Sequence, residues 1–203
     1  MRFNILVVIC LITLVACGGG GGGGGNGTDF TSNNINNVPT CSDTGTSFQT
    51  TEYHFMAYSE NSTSGLGRVC ASTAYANGVT GNGVKIAILD TGINLQSDGD
   101  SGHQEFGTVG QSTSKIVQIS KSDVYEWDDI PEDDDGHGTH VAGIIAADKD
   151  SVGMHGVAYN STVYPIRIMT PSGRYRAVQG NYTIAWGFYK SYTANVDIIN
   201  NSW

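Results

Sequence analysis

Read for its apolar and polar positions, the chain resolves into alternating strands and helices. Val84 to Leu89 is apolar on both faces except at Lys85, the pattern of a central parallel strand covered on both sides. Ile116-Val117-Gln118-Ile119, Val163-Tyr164-Pro165-Ile166-Arg167-Ile168-Met169 and Val196 to Ser202 predict three more strands. Pro165 speaks against the middle of the second of these as strand, or makes the proline its first residue, because proline donates no ladder hydrogen bond. Val178, Tyr182, Ala185, Trp186, Tyr189 and Tyr192 recur at helical spacing and predict a helix with a core-facing stripe. Gly67 to Ala76 predicts a short helix closed by Asn77-Gly78, and another opens at Gly136. Strands alternating with helices mean an α/β fold, a parallel sheet with flanking helices.

Two segments carry chemistry. Ile86-Ala87-Ile88-Leu89-Asp90-Thr91-Gly92 is an apolar strand ending in a carboxylate, followed by a sharp turn. Gly136-His137-Gly138-Thr139-His140-Val141-Ala142-Gly143 places an imidazole between glycines at the start of a helix made of small residues. Glycine disfavours helix, so its density here, continued by Ala146 and Ala147, signals close backbone approach. In open parallel sheets functional groups gather beyond the carboxyl ends of the strands, where Asp90 falls. A buried carboxylate beside a histidine fixes the ring tautomer and stabilises the imidazolium formed on proton transfer. Asp90 is therefore the expected orienting group and His137 the expected general base.

Composition adds location and excludes partners. The 203 residues include 28 glycines, charged residues make up 14%, and the formal net charge is −9. That balance argues against nucleic acid and against attraction to an anionic membrane surface. Arg2 followed by an apolar run from Ile5 to Ala16 predicts a signal peptide over residues 1–16, too short for a membrane span. Leu14-Val15-Ala16-Cys17 resembles the bacterial lipoprotein box, so Cys17 is the expected lipid-bearing residue anchoring the chain to a membrane. Gly18 behind it resembles lipoproteins sent to the outer membrane. Residues 17–50, with the glycine run Gly18–Gly25, then read as a flexible linker, and 51–78 as a lead-in segment. With Cys10 in the leader and Cys17 lipidated, Cys41 and Cys70 could form a disulfide in an oxidising compartment or remain free thiols. Neither has the neighbours of a zinc site.

The aspartate and histidine segments together resemble the two corresponding motifs of the subtilisin-like serine proteases, the subtilases. Gly156-Val157-Ala158, Ile166-Arg167-Ile168 and Asp197-Ile198-Ile199-Asn200-Asn201-Ser202 match successive family segments in unbroken order. The leader, the glycine run and the Ala74-to-Gly81 entry most resemble surface lipoprotein subtilases, several of them autotransporters. The resemblance implies that 79–203 is the N-terminal part of a peptidase domain, C-terminally incomplete and leaving an apolar sheet edge open. It implies a serine endopeptidase acting on proteins or peptides by acyl-enzyme chemistry, with no cofactor required for catalysis. Ser202 and Trp203 match the start of a substrate-pairing edge, and Gly173 lies in a second edge; extended substrate would add to both as a strand. No Gly-Thr-Ser-Met-Ala-like segment follows His137, and the Gly45-Thr46-Ser47 triplet lies before the aspartate in the polar linker. The expectation is a chain lacking the nucleophile and the oxyanion asparagine, inactive by itself.

The run Asp128-Asp129 and Glu132-Asp133-Asp134-Asp135 reads either as a solvated loop or as a negative wall favouring a basic substrate residue. By the resemblance, a structural calcium ion is expected at Glu105, Asp150 and the backbone of Val152 and Met154. Two other readings stand beside the protease. His137 and His140, three apart, could share a metal in a hydrolase, although no glutamate base accompanies them. The chain could also be a non-catalytic surface lipoprotein that binds peptides through its edge strands.

Overall fold

A computed structural model of the protein describes residues 6–7, 46–54, 65–95, 103–107, 114–124, 126–169 and 180–203. Four parallel strands form one sheet in the order β1-β4-β2-β3: β1 Leu6–Val7, β2 Lys85–Asp90, β3 Thr162–Arg167 and β4 Ile198–Asn200. Four helices accompany them: α1 Thr51–His54, α2 Ala71–Ala76, α3 His137–Ala146 and α4 Gly180–Thr193. The α/β architecture expected from the sequence is present. Among the described residues no helix is long and apolar enough to cross a membrane.

The sheet is apolar on both faces because both are covered. Ile86 and Ile88 of β2 pack with Phe106, Ala142 and Ala146 on the α3 side. Ala87 and Leu89 pack with Ile166, Ile168, Ile184 and Phe188 on the α4 side. Alternate residues of one strand thus serve two cores, which is why β2 reads as a continuous apolar run.

Pro165 lies in mid-strand, paired with Ile88 and buried, not at the start of β3. The direction of its backbone explains this. Thr162 and Ile168 donate toward β2, to Val84 O and Asp90 O, whereas Val163 and Arg167 donate away from it, to Lys115 O and Ser122 O. Pro165 shares the parity of the latter pair. Its missing N–H faces the gap between two contacts of the 114–124 segment, so no bond to β2 is lost.

That segment is the second departure. Ile116–Ile119 is not a strand; the 114–124 segment meets β3 through isolated bridges from Ile116 to Val163 and from Asp123 to Arg167. The predicted helix over 67–76 is also divided. A 3-10 turn over Gly65–Val69 ends at Cys70, whose φ of 52° breaks the helical path before α2. Cys70 is disulfide-bonded, and Cys41, its expected partner, lies outside the described residues. Leu6 and Val7, assigned by the sequence to the leader, pair with Ile198 and Ile199. They occupy the edge of β4 that was expected to stand open, where unpaired backbone groups favour any apolar strand.

The lead-in segment docks on the domain through aromatics. Tyr53, Ala71 and Tyr75 form a small cluster with Phe48, Leu66 and Tyr159, and Tyr75 donates its hydroxyl to Val157 O at 2.9 Å. Buried Glu52 accepts from the amides of Asp150 and Ser151, both at 3.1 Å, tying α1 to the loop after α3. Half-buried Lys115 contacts Ala146 O at 2.6 Å and Asp148 at 2.5 Å, a cation placed at the carbonyl end of α3.

Candidate active site

The strand β2 delivers Asp90 to its carboxyl end, fully buried, and α3 begins at His137. The Asp90 carboxylate Oδ1 lies 2.7 Å from Nδ1 of the imidazole. The Thr91 amide donates to the same oxygen at 2.8 Å, so the carboxylate is held by backbone as well as by the ring. Oδ2 is buried and has no hydrogen-bond partner among the described residues. Burial raises the Asp90 pKa, opposed by the bonds from His137 and Thr91, and the negative charge of Asp133 adds a small further rise. A carboxylate can only accept, so the pair fixes the proton on Nδ1 and leaves Nε2 with a free lone pair. The side chain of His137 is 32% exposed, which leaves the ring open to a reacting group. This is the arrangement a general base needs.

The glycines around the pair divide into two kinds. A Cβ on Gly138 would lie 2.1 Å from Gly92 O and 3.1 Å from the Asp90 Cβ. Gly92, with φ of 112°, would place a Cβ 2.5 Å from Glu132 O. Both therefore serve close backbone approach, as the sequence suggested. Gly143 does not: nothing lies within 4 Å of a Cβ built there, and it lines an open cavity of about 340 Å³. His140 is exposed and lines the same cavity with His103 and Glu105.

In the acidic run Asp128, Asp129, Asp134 and Asp135 are exposed, as in a solvated loop, and several of its carboxylates also serve the local fold. Glu132 accepts from the Leu95 amide at 3.1 Å, and Asp134 pairs with Arg167 at 2.7 Å. Asp128 and Asp129 accept from the amides of Ile130 and Lys121. Asp133 accepts hydrogen bonds from both ends of the site, an involvement the sequence did not single out because it hides among like residues.

The remaining expected residues are dispersed. Glu105 is buried on a 3-10 turn, and its Oε2 has no partner. Burial, with Asp150, Asp148 and Glu52 nearby, raises its pKa to about 6. Asp150 is exposed and accepts from the Val152 amide at 2.9 Å, Val152 is exposed, and Met154 is half-buried. Among the described residues no three His, Cys, Asp or Glu side chains converge as a metal site. Ser202 exchanges hydrogen bonds with the Asn200 amide group just beyond β4, and Trp203 is 44% exposed. Gly173 and Cys17 lie outside the described residues.

Comparison with known proteins places the pair in context. The model of the subtilase family matches residues 81–203, which contain both Asp90 and His137. Subtilisin BL of Lederbergia lenta is 38% identical over 110 residues, 54% of this chain and 35% of that protein. Subtilisin E of Bacillus subtilis (strain 168) is 31% identical over 146 residues, 71% of this chain and 33% of that protein. Among solved structures, the Clostridium perfringens CspB protease aligns with a TM-score of 0.48 and 25% identity, covering 64% of this chain and 30% of that one. The chain thus spans about a third of the length of these relatives. With the family model covering well over half of its residues and an aspartate–histidine pair in hydrogen-bond contact inside the match, the chain belongs to the subtilase family of serine endopeptidases.

Proposed function

We propose that this chain supplies the acid–base half of a serine endopeptidase site that acts on proteins or peptides outside the cytoplasm. The 2.7 Å contact between Asp90 and His137 carries the reading. Asp90 would orient the ring, and His137 Nε2 would take the proton of a serine hydroxyl as it attacks the scissile carbonyl. No Gly-Thr-Ser-Met-Ala-like segment follows His137 in this sequence, so turnover would require a serine and an oxyanion donor supplied to this acid–base pair. Ser202, Trp203 and Gly173 would line the substrate as edge-strand partners.

Export and anchoring belong to the same proposal. The disulfide at Cys70 supports an oxidising compartment, and Cys41 would be its partner. The short apolar leader and the Cys17 box support attachment by lipid at a bacterial outer membrane or cell surface. A structural calcium ion near Glu105 is supported by the unpartnered Oε2 and the surrounding acidic groups. Glu105 and Asp150 would be its side-chain ligands, with the backbone oxygens of Val152 and Met154 supplying the rest. The metal-hydrolase reading has less support, because Nδ1 of His137 is committed to Asp90 and His140 lines a cavity whose lining does not include His137.

A fluorophosphonate probe tests the central claim. The 203-residue chain should stay unlabelled, while a fusion to the serine-bearing remainder of a matched subtilisin should react. His137→Ala in that fusion should abolish labelling. Labelling that survives His137→Ala would overturn the proposal.

A further inference from the structure

Asp133 lies four residues before His137 and outside both motifs, yet its carboxylate touches each end of the site. Oδ1 accepts from the Thr91 hydroxyl at 2.8 Å and from the amides of Asp135 and Gly136 at 3.0 and 2.9 Å. Oδ2 accepts from the Thr139 amide at 2.8 Å and the Thr139 hydroxyl at 2.5 Å. The Thr91 hydroxyl in turn accepts from the Gly138 amide at 2.9 Å. The Thr139 hydroxyl accepts from the Asn94 amide at 2.9 Å.

These bonds connect two elements far apart in sequence. Thr91 directly follows Asp90, and Gly138 and Thr139 directly follow His137. A helix cap alone would satisfy only the amides of α3. Here the cap position itself, Gly136, offers no side chain, and the carboxylate three residues earlier bonds to the turn after β2 as well. We propose that Asp133 is a positioning residue for the acid–base pair. Through the hydroxyls of Thr91 and Thr139 it locks the end of β2 against the first turn of α3, and so sets the Asp90–His137 contact. The proposal rests on the reading of that pair as catalytic machinery, where a displacement of about 1 Å is enough to cost on the order of a hundredfold in rate.

The electrostatics agree with the geometry. Burial works to raise the Asp133 pKa, but the hydrogen bonds from Thr139, Gly136 and Thr91 outweigh it, and the net pKa is lowered. The group stays ionised and keeps all of its acceptor sites. Its charge also acts on Asp90 as a like neighbour, so a useful test must separate position from charge. Thr91 allows this. Thr91→Val removes the bridge without altering charge, and Thr91→Ser keeps the hydroxyl.

The readout is the proton on His137 Nδ1, observed by NMR in the intact 203-residue chain. His155 provides a reference in the same spectrum, since its Nδ1 lies 2.9 Å from Gly156 O and bonds independently of this network. Thr91→Val and Asp133→Ala should each speed exchange of the His137 proton with water by about tenfold or more, roughly the loss of one net hydrogen bond. Thr91→Ser should restore slow exchange, and the His155 proton should not change in any variant. Asp90→Ala, which leaves no acceptor, separates the two claims. If it leaves the His137 proton unaffected, the pair itself is misread. If Asp90→Ala exposes that proton while Thr91→Val and Asp133→Ala do not, the pair stands and the role given to Asp133 is overturned. Equal acceleration at His155, with no rescue by Thr91→Ser, would reduce Asp133 to a general structural residue and would also overturn it.

Discussion

The backbone of Gly138 approaches that of Gly92 so closely that a Cβ on Gly138 would stand 2.1 Å from the Gly92 carbonyl oxygen. The clash would be with backbone on both sides, at the junction of β2 and α3, and no flexible side chain is available to move. Gly138→Ala should therefore destabilise the chain by about 3 kcal/mol or prevent folding. Gly143, five residues on in the same helix, has open space around a built Cβ. Gly143→Ala should stabilise the chain by up to about 1 kcal/mol through helix propensity alone. Urea denaturation of the two variants checks both signs, and equal effects would contradict the packing described.

Glu105 makes stability depend on pH in a defined direction. Its pKa is pushed up to about 6 in the folded chain from the ordinary 4.5 of a glutamate. Folding therefore takes up a proton between those values. The contribution is fully present below pH 4.5 and is lost as pH rises through 6. Glu105→Gln should abolish this slope and raise stability near pH 7.5 by about 1 kcal/mol in the presence of chelator, allowing for solvent screening. On the calcium proposal, adding the ion should raise Tm more at pH 7.5 than at pH 5, and Glu105→Gln should remove that gain. A calcium response independent of Glu105 would place the ion elsewhere.

Pro165 should be replaceable at little cost despite its buried mid-strand position. Its nitrogen faces away from β2, so Pro165→Ala restores an N–H where no partner strand is lost. The change in stability should stay within about 1 kcal/mol, mainly from added freedom in the unfolded chain. A loss near 3 kcal/mol in thermal or urea melts would show that the ring itself is needed for packing.

The Cys70 disulfide should hold the lead-in segment to the domain. Peptide mapping without reductant should recover Cys70 joined to Cys41. Reduction should lower stability by about 2–4 kcal/mol, as for other disulfides closing loops of a few dozen residues. Recovery of Cys70 joined to Cys10 or Cys17 would revise the lipid-anchor proposal, because a thiol in a disulfide cannot also carry an acyl chain.

Much of this molecule was legible because its decisive patterns are local. The apolar run ending at Asp90 and the glycine-flanked His137 each fit in a window of eight residues, and strand period, small-residue density and turn chemistry all act at that range. The α/β class, the helices after Gly136 and before Asn195, and the identity of the paired residues followed from them. Other features depended on what stood across the gap. Gly138 and Gly143 are equivalent in sequence, and only the Gly92 carbonyl distinguishes them. Asp133 is one of several acidic neighbours until Thr91, 42 residues away, donates to it. Ile116–Ile119 has the composition of a strand, but its bridge to β3 joins only Ile116 to Val163; the next, at Arg167, is made by Asp123, with Pro165 offering no donor between them. Periodicity reports which side chains prefer burial; which atoms finally meet depends on long-range packing, where differences of one ångström separate a hydrogen bond from a clash.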